Sequence, residues 1–260
     1  MTIPTNKSYQ LLADSKSLDL LSKSALLDCK IEVAPEVTST QKVLLARPAQ
    51  ELKPGTVLVA HFQSDGIGRL DRKWESAAGD SLMFSYVFRS SSNLLPLFVG
   101  TAVAAALSKY LPTIKLKWPN DLVVETNSQM RKLGGIVMQR HIEDAELVVV
   151  GVGINLQFSA SRPTAESIAL DELIATLPDV NQFLVEILEG FSRHTSIGDD
   201  LVINAYEKWC LTLGKNVEVQ MLNEEKVHGK AIRINANGGL VLATSNGDVE
   251  ITAGDIKHLR

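Results

Sequence analysis

The sequence predicts an α+β protein: a main domain built on a mixed β-sheet with flanking helices, followed by a small β-barrel. Three observations carry this. Apolar strand-like runs such as "GTVLVA", "SLMFSYVF" and "AELVVVGVGINL" are separated by a single clear helix, which is too few helices for a doubly wound parallel sheet. Residues 169–210 then read as helices. After Cys210 the composition switches to short alternating runs joined by Asn, Gly and Asp turns, the pattern of a small barrel or sandwich. At 260 residues and 45% hydrophobic content, the chain can bury a large core.

Along the chain, residues 8–29 carry leucines at mixed three and four spacings, which predicts one amphipathic helix or two short ones. Strands are expected near 56–62 and 81–88. The run "LLPLFVGTAVAAAL" predicts a buried helix near 93–110, with Pro96 tolerated in its first turn and Pro112 closing it. Its apolar part falls short of the roughly 20 residues needed to span a bilayer. "TIKLKW" and "KLGGIVMQRHI" read as further strands, and the helices of 169–210 should break at Pro178 and at "SIGDD". The runs "NVEVQML", "KVHGKAIRI", "GGLVLAT" and "GDVEITA" place a boundary that divides the chain into 1–211 and 212–260.

A formal net charge of −4 argues against broad affinity for nucleic acid or an anionic membrane, so any basic site must be local. Cys29 and Cys210 give neither a disulfide framework nor metal-ligand spacing, which suits a reducing, cytoplasmic compartment. His61, His141, His194, His228 and His258 are equally scattered, and no transition-metal site is expected. The N-terminus has no apolar segment of the secretory kind.

Three stretches break the structural pattern. "HFQSDGIGRLDRKW", residues 61–74, packs two glycines and three basic residues between two strands and meets neither the dinucleotide nor the P-loop spacing. "KWPND", residues 117–121, would alone be an ordinary hairpin turn. "RKLGGI" and "VGVGIN" place glycines inside strands, which usually marks a bulge or a ligand lying against the backbone.

Together, in this order, these motifs resemble biotin protein ligase. "TSTQ" at residues 38–41 is similar to the family's Ser-Thr-Asn segment, with Gln41 in place of the asparagine, and the tail resembles its SH3-like domain down to "GGLVL" and "AGDI". The resemblance covers roughly residues 35–260. It implies a catalytic domain of the class II aminoacyl-tRNA-synthetase and biotin ligase type and a short form without an N-terminal DNA-binding domain. It further implies biotin and ATP as substrates, Mg²⁺ carried on the phosphates, and a biotin carboxyl carrier domain of a carboxylase as partner. A monomer or a homodimer is compatible with it.

By resemblance, biotin's carboxylate attacks the α-phosphate of ATP, and a carrier lysine then attacks the mixed anhydride. The first step needs positive charge and positioning more than a base. Arg69 and Lys132 are the implied electrophilic groups, and Asp121 the group that orients or deprotonates the incoming lysine. The implied biotin site comprises Ser39, Thr40, Gln41, Gln63, Gly66, Ile67, Gly68, Arg69, Lys132 and Gly135. Ser39 and Thr40 could equally cap a helix over "QKVLLAR". The implied adenylate site comprises Arg69, Trp74, Lys117, Trp118, Asn120 and Asn155, although an aromatic at such a place is often plain core.

The match departs in the 61–74 loop. Ile67 stands where the family pattern has an arginine, Asp71 where it has a glycine, and Asp65 where it has a small apolar residue. The expected consequence is an active enzyme that holds its acyl adenylate less tightly. Lipoate-protein ligase is the nearest rival reading, and a non-catalytic biotin-binding or decayed ligase is the rival of another class.

Overall fold

The computed structural model describes residues 28–221 and 224–259. The amphipathic segment expected at 8–29 lies almost entirely outside the described residues. A seven-stranded mixed sheet organises the larger part of the chain, in the order β1-β2-β3-β7-β6-β5-β4. Its strands are β1 (Lys30–Val37), β2 (Thr56–Gln63), β3 (Ser81–Arg89), β4 (Lys115–Lys117), β5 (Asp121–Thr126), β6 (Gln129–Arg140) and β7 (Leu147–Asn155). Only β1 and β2 run parallel; all other pairs are antiparallel.

The two faces of this sheet do different work, and strand β7 shows why. Alternate residues point to opposite faces. Val148, Val150, Val152 and Ile154 join the main core. That core is completed by helices α2 (Leu95–Ser108), α3 (Val180–Phe191) and α4 (Asp199–Trp209). Leu147 and Val149, on the other face, pack with Leu44 of α1 (Thr40–Leu45). Further along that second face come Gly151 and Gly153, so side chains shrink from leucine to nothing along one strand. Their antiparallel partners are Ser85 and Met83 on β3, and Val137 and Gly135 on β6. A shallow trough therefore opens beside α1, floored by glycine.

The hydrophobic runs gave most elements their places. The expected helix at 93–110 is α2, with Pro96 in its first turn. The expected break at Pro178 falls just before α3, and the one at "SIGDD" falls between α3 and α4. Three strands went unread. β1 carries Pro35 and mostly exposed or half-buried side chains, as an edge strand does. β5 follows the "KWPN" turn directly. The last, β12 (Asp255–His258), is four residues long with one buried side chain.

The C-terminal residues form a separate five-stranded antiparallel sheet, in the order β11-β10-β9-β8-β12. Its remaining strands are β8 (Asn216–Gln220), β9 (Lys226–Ile234), β10 (Leu240–Thr244) and β11 (Gly247–Ile251). It is fastened to the larger sheet at the "KWPND" turn. The Trp118 indole is 2% exposed and donates Nε1–H to the Gly238 carbonyl at 3.1 Å. The Trp118 backbone N–H donates to the Thr212 hydroxyl at 3.1 Å, and His258 Nε2 lies 3.3 Å from the same hydroxyl. Among the described residues no helix is long and apolar enough to cross a membrane.

Burial, reinforced by Lys117 and Lys215, pushes the His258 pKa down to about 4. The imidazole is thus neutral in the folded protein, whereas in the unfolded chain it takes up a proton near its ordinary value of 6.5. Unfolding binds the extra proton within that window, so the stability His258 contributes is lost as pH falls from about 6.5 toward 4. The melting temperature of the wild-type protein should drop more steeply between pH 6.5 and 5 than that of His258→Asn; parallel curves by calorimetry would contradict this.

Candidate functional site

The trough is closed from above by residues 66–74, which fold into a small hairpin. Gly68 N–H donates to the Arg72 carbonyl at 2.7 Å and Trp74 N–H to the Gly66 carbonyl at 2.9 Å. Residues 69–71 make a tight turn at its tip. An ion pair to Lys42 of α1 ties down Asp65, just before the hairpin, and another ties Arg72 to Asp255 of the C-terminal sheet. Gly66 is buried at the hairpin's base, and a Cβ there would lie 2.6 Å from the Trp74 carbonyl oxygen. The left-handed residue at the tip is Leu70 (φ 55°, ψ 45°), so the aspartate at 71 is not where positive φ is needed.

Two adjoining cavities result. The first, about 450 Å³ with its open mouth included, lies between α1, the hairpin and the glycine floor. One end is polar. Thr40 N–H donates to Gln63 Oε1 at 2.7 Å, the Thr40 and Ser85 hydroxyls share a hydrogen bond of 2.8 Å, and Gln41 Nε2 donates to the Val149 carbonyl at 2.8 Å. Ser39 takes the position before α1, but its hydroxyl makes no capping bond. The capping reading therefore fails for Ser39, and Thr40 spends its hydroxyl on Gln63 and Ser85. The rest of the wall is made by Ile67, Val137, the Trp74 ring and the glycine-bearing backbone of β6 and β7.

The second cavity, about 1280 Å³ with its open mouth included, opens toward the C-terminal sheet and is cationic. Arg69, Arg72, Lys73, Lys117 and Lys132 face Glu75, Asp121 and Asp255 across it, five positive groups against three negative. Gly68, Arg69, Trp74, Asn120 and Lys132 line both cavities. Arg69 Nη1 donates to Asn120 Oδ1 at 3.0 Å, while Asn120 Nδ2 is held by the Ile136 carbonyl at 2.8 Å. Burial lowers the Arg69 pKa, with Asp121 pulling the other way. Burial also lowers that of Lys117, again opposed by Asp121. Lys132 forms an ion pair with Asp121, Nζ to Oδ1, at 2.7 Å.

Glycine explains this arrangement at two places. A Cβ on Gly153 would stand 2.7 Å from the Trp74 ring, so the indole lies directly on that backbone. A Cβ on Gly135 would stand 3.4 Å from both Cε and Nζ of Lys132, so the lysine side chain crosses bare backbone to reach Asp121.

The expected residues thus converge. Ser39, Thr40, Gln41, Gln63, Ile67 and Gly135 line the first cavity only, and Lys117, Trp118, Asp121 and Asn155 the second only. Gly66 lines neither. Trp118 is committed to the junction between the two sheets, so the plain-core reading holds for its ring. Asn155 is 3% exposed and donates to the Ile168 carbonyl at 3.1 Å, bracing the segment that brings Thr164 and Ser167 to the cleft. Sequence reasoning missed Ser85, Phe84, Thr164, Ser167 and Asp255. Only Asp255 carried a signal, within "AGDI".

Both parts of the chain match known protein families. Residues 33–155 match the model of the biotin/lipoate A/B protein ligase family, and residues 212–259 that of the biotin protein ligase C-terminal domain. The biotin–[acetyl-CoA-carboxylase] ligase of Mycobacterium tuberculosis is 29% identical, over 89% of this chain and 90% of its own. A biotin protein ligase from Aquifex aeolicus, solved with biotin and ATP, superposes with a TM-score of 0.75 at 28% identity, covering 88% of this chain and 98% of its own. Along most of its length the chain is similar to biotin protein ligases. The bifunctional ligase/repressor BirA of Escherichia coli is 35% identical across 64% of this chain but only 52% of its own length.

The two cavities share a wall, and Trp74 stands in it. Gly153→Ala should displace its ring and lower ligase turnover at least tenfold while leaving the melting temperature within a few degrees; full activity would show that the Trp74 seat is dispensable. Leu70→Asn should relieve roughly 1 kcal/mol of left-handed strain. Hydrogen exchange at the Gly68 and Trp74 amides should then slow, and unchanged or faster exchange would count against strain at the tip.

Proposed function

We propose that this protein joins biotin to a lysine of a carboxylase's biotin carboxyl carrier domain, with biotinyl-5′-AMP as intermediate. The observation that carries the reading is the pairing of cavities across one wall. The first is apolar with a hydrogen-bonding end formed by Thr40, Gln41 and Gln63. Their amides keep donor and acceptor capacity beyond the bonds they make to one another, and a ligand buried there must bring matching polar groups, since each left unmet costs about 1–3 kcal/mol. A ureido ring supplies them; the dithiolane of lipoate does not, which disfavours the lipoate reading.

Biotin's carboxylate then lies toward Arg69 and Lys132, and ATP's phosphates enter the cationic cleft. The carboxylate oxygen attacks the α-phosphorus and pyrophosphate leaves with the bonding electron pair. Arg69, held by Asn120, presents a planar fork to two oxygens at once. Lys117, which makes no ion pair among the described residues, adds a second cation. Mg²⁺ is carried by the phosphates themselves, as is common where a nucleotide supplies most of a hard cation's oxygens.

In the second step the acceptor amine attacks the acyl carbon, AMP leaves, and Asp121 receives the amine's proton. We read 1–211 as the catalytic domain and 212–260 as an SH3-like domain whose Asp255 braces the hairpin through Arg72. ATP-dependent transfer of biotin to a carrier domain is the decisive assay. Turnover with lipoate alone, or none with either acid, would overturn the proposal. Ile67 gives the first cavity an apolar side chain where the family pattern carries a cation, so Ile67→Arg should slow release of biotinyl-AMP severalfold in a chase experiment; equal release would refute the weaker hold.

A further inference from the structure

One carboxylate serves three cations in the second cavity. Asp121 bonds Lys132 at 2.7 Å, and its charge is also felt by Arg69 and by Lys117. Lys132 is the one of the three that pairs with it directly. Its side chain is 40% exposed, lies over the bare backbone of Gly135 and lines both cavities, whereas Asp121 lines only the second. Its backbone, by contrast, is fixed: Lys132 N–H donates to the Glu166 carbonyl at 2.7 Å, and its carbonyl accepts from Ile168 at 2.9 Å. The ammonium can thus swing without moving the strand.

An arriving phosphate changes the balance around these groups. It offers the cations an anion with several oxygens, and it repels the Asp121 carboxylate. Lys132 gains by turning toward the shared wall, and Asp121 is then left without its ion-pair partner. What it has already been shown to hold at hydrogen-bonding distance is the ammonium of a lysine.

Resting on the ligase reading above, we propose that Lys132 occupies the acceptor lysine's place on Asp121 until a bound nucleotide's phosphate draws it away. Asp121 exchanges one lysine for another, so the acceptor site opens only once a phosphate is in place beside it. The exchanged lysine arrives as an ammonium and passes a proton to Asp121. Its nitrogen then forms the bond to the acyl carbon, the carbon–oxygen bond to the phosphate breaks, and AMP departs with that electron pair. The arrangement withholds the acceptor site from an empty enzyme.

Asp121→Asn tests the exchange through two readouts that should move in opposite directions. The probe for the first is biotinol-5′-AMP, a phosphodiester that keeps the phosphate charge but lacks the acyl carbonyl, titrated by calorimetry. With no carboxylate competing for Lys132, the variant should bind it about five-fold more tightly, the upper range for one partly exposed ion pair. The tightening should vanish when Asp121→Asn is made in a Lys132→Met background. The second readout is single-turnover transfer from enzyme-bound biotinyl-AMP to a carrier domain. It should slow roughly 10²-fold, with its pH profile displaced upward and partial rescue by Asp121→Glu. Weaker or equal binding of the analogue would overturn the exchange, as would transfer at the wild-type rate. Should the wild-type protein form no AMP from biotin and ATP, the ligase reading itself fails; that failure is separately visible, because analogue binding is read without turnover.

Discussion

Trp74 lies flat on strand β7 because residue 153 has no side chain, and most of the site depends on that contact. The indole closes the space between the 66–74 hairpin and the sheet, and it forms part of the wall shared by the two cavities. The hairpin in turn fixes Arg69. Were the floor built of valine, as it is one residue pair further back at Val149, the ring would have nowhere to lie and the hairpin would ride higher over the trough. A strand that alternates valine and glycine therefore satisfies two demands at once: valine seals the helix-covered core, and glycine leaves room for ligand and lid.

The electrostatics follow the same division. The end of the first cavity is neutral and fully hydrogen-bonded through Gln41, Thr40, Gln63 and Ser85, which suits an uncharged polar ring. The second cavity concentrates cations in a chain whose overall charge is negative. Partial burial raises the worth of each charge there, since fewer waters screen it. Asp121 keeps the concentration tolerable by pairing with Lys132 and by its field at Arg69 and Lys117. The C-terminal sheet takes part through Trp118 and Asp255, so it contributes to the site's geometry as well as to its stability.

Much of this was legible in the residues. The apolar runs placed β2, β3, β6, β7 and the long helix α2, and the turn-rich tail announced a separate sheet. "KWPND" was both the hairpin turn its composition suggested and the carrier of Asn120 and Asp121. Less visible were elements whose stability comes from neighbours. β1 is an edge strand with few buried side chains, and β12 is held by pairing with β8. The positive φ at the loop tip fell on Leu70, which no propensity would select.

By itself, the sequence determined the alternation of valine and glycine in "VGVGIN", the placement of Lys132 beside a glycine pair, and the local basic charge within an acidic chain. Those are properties of neighbouring residues along one strand, and they survive without any knowledge of the fold. Only the tertiary structure decided that Trp118 would join two sheets while Trp74 walls a cavity, and that Asp121 would meet Lys132. Each of those outcomes rests on contacts between segments distant in sequence, where register, a bulge between β5 and β6, and the space left by absent side chains set which groups touch.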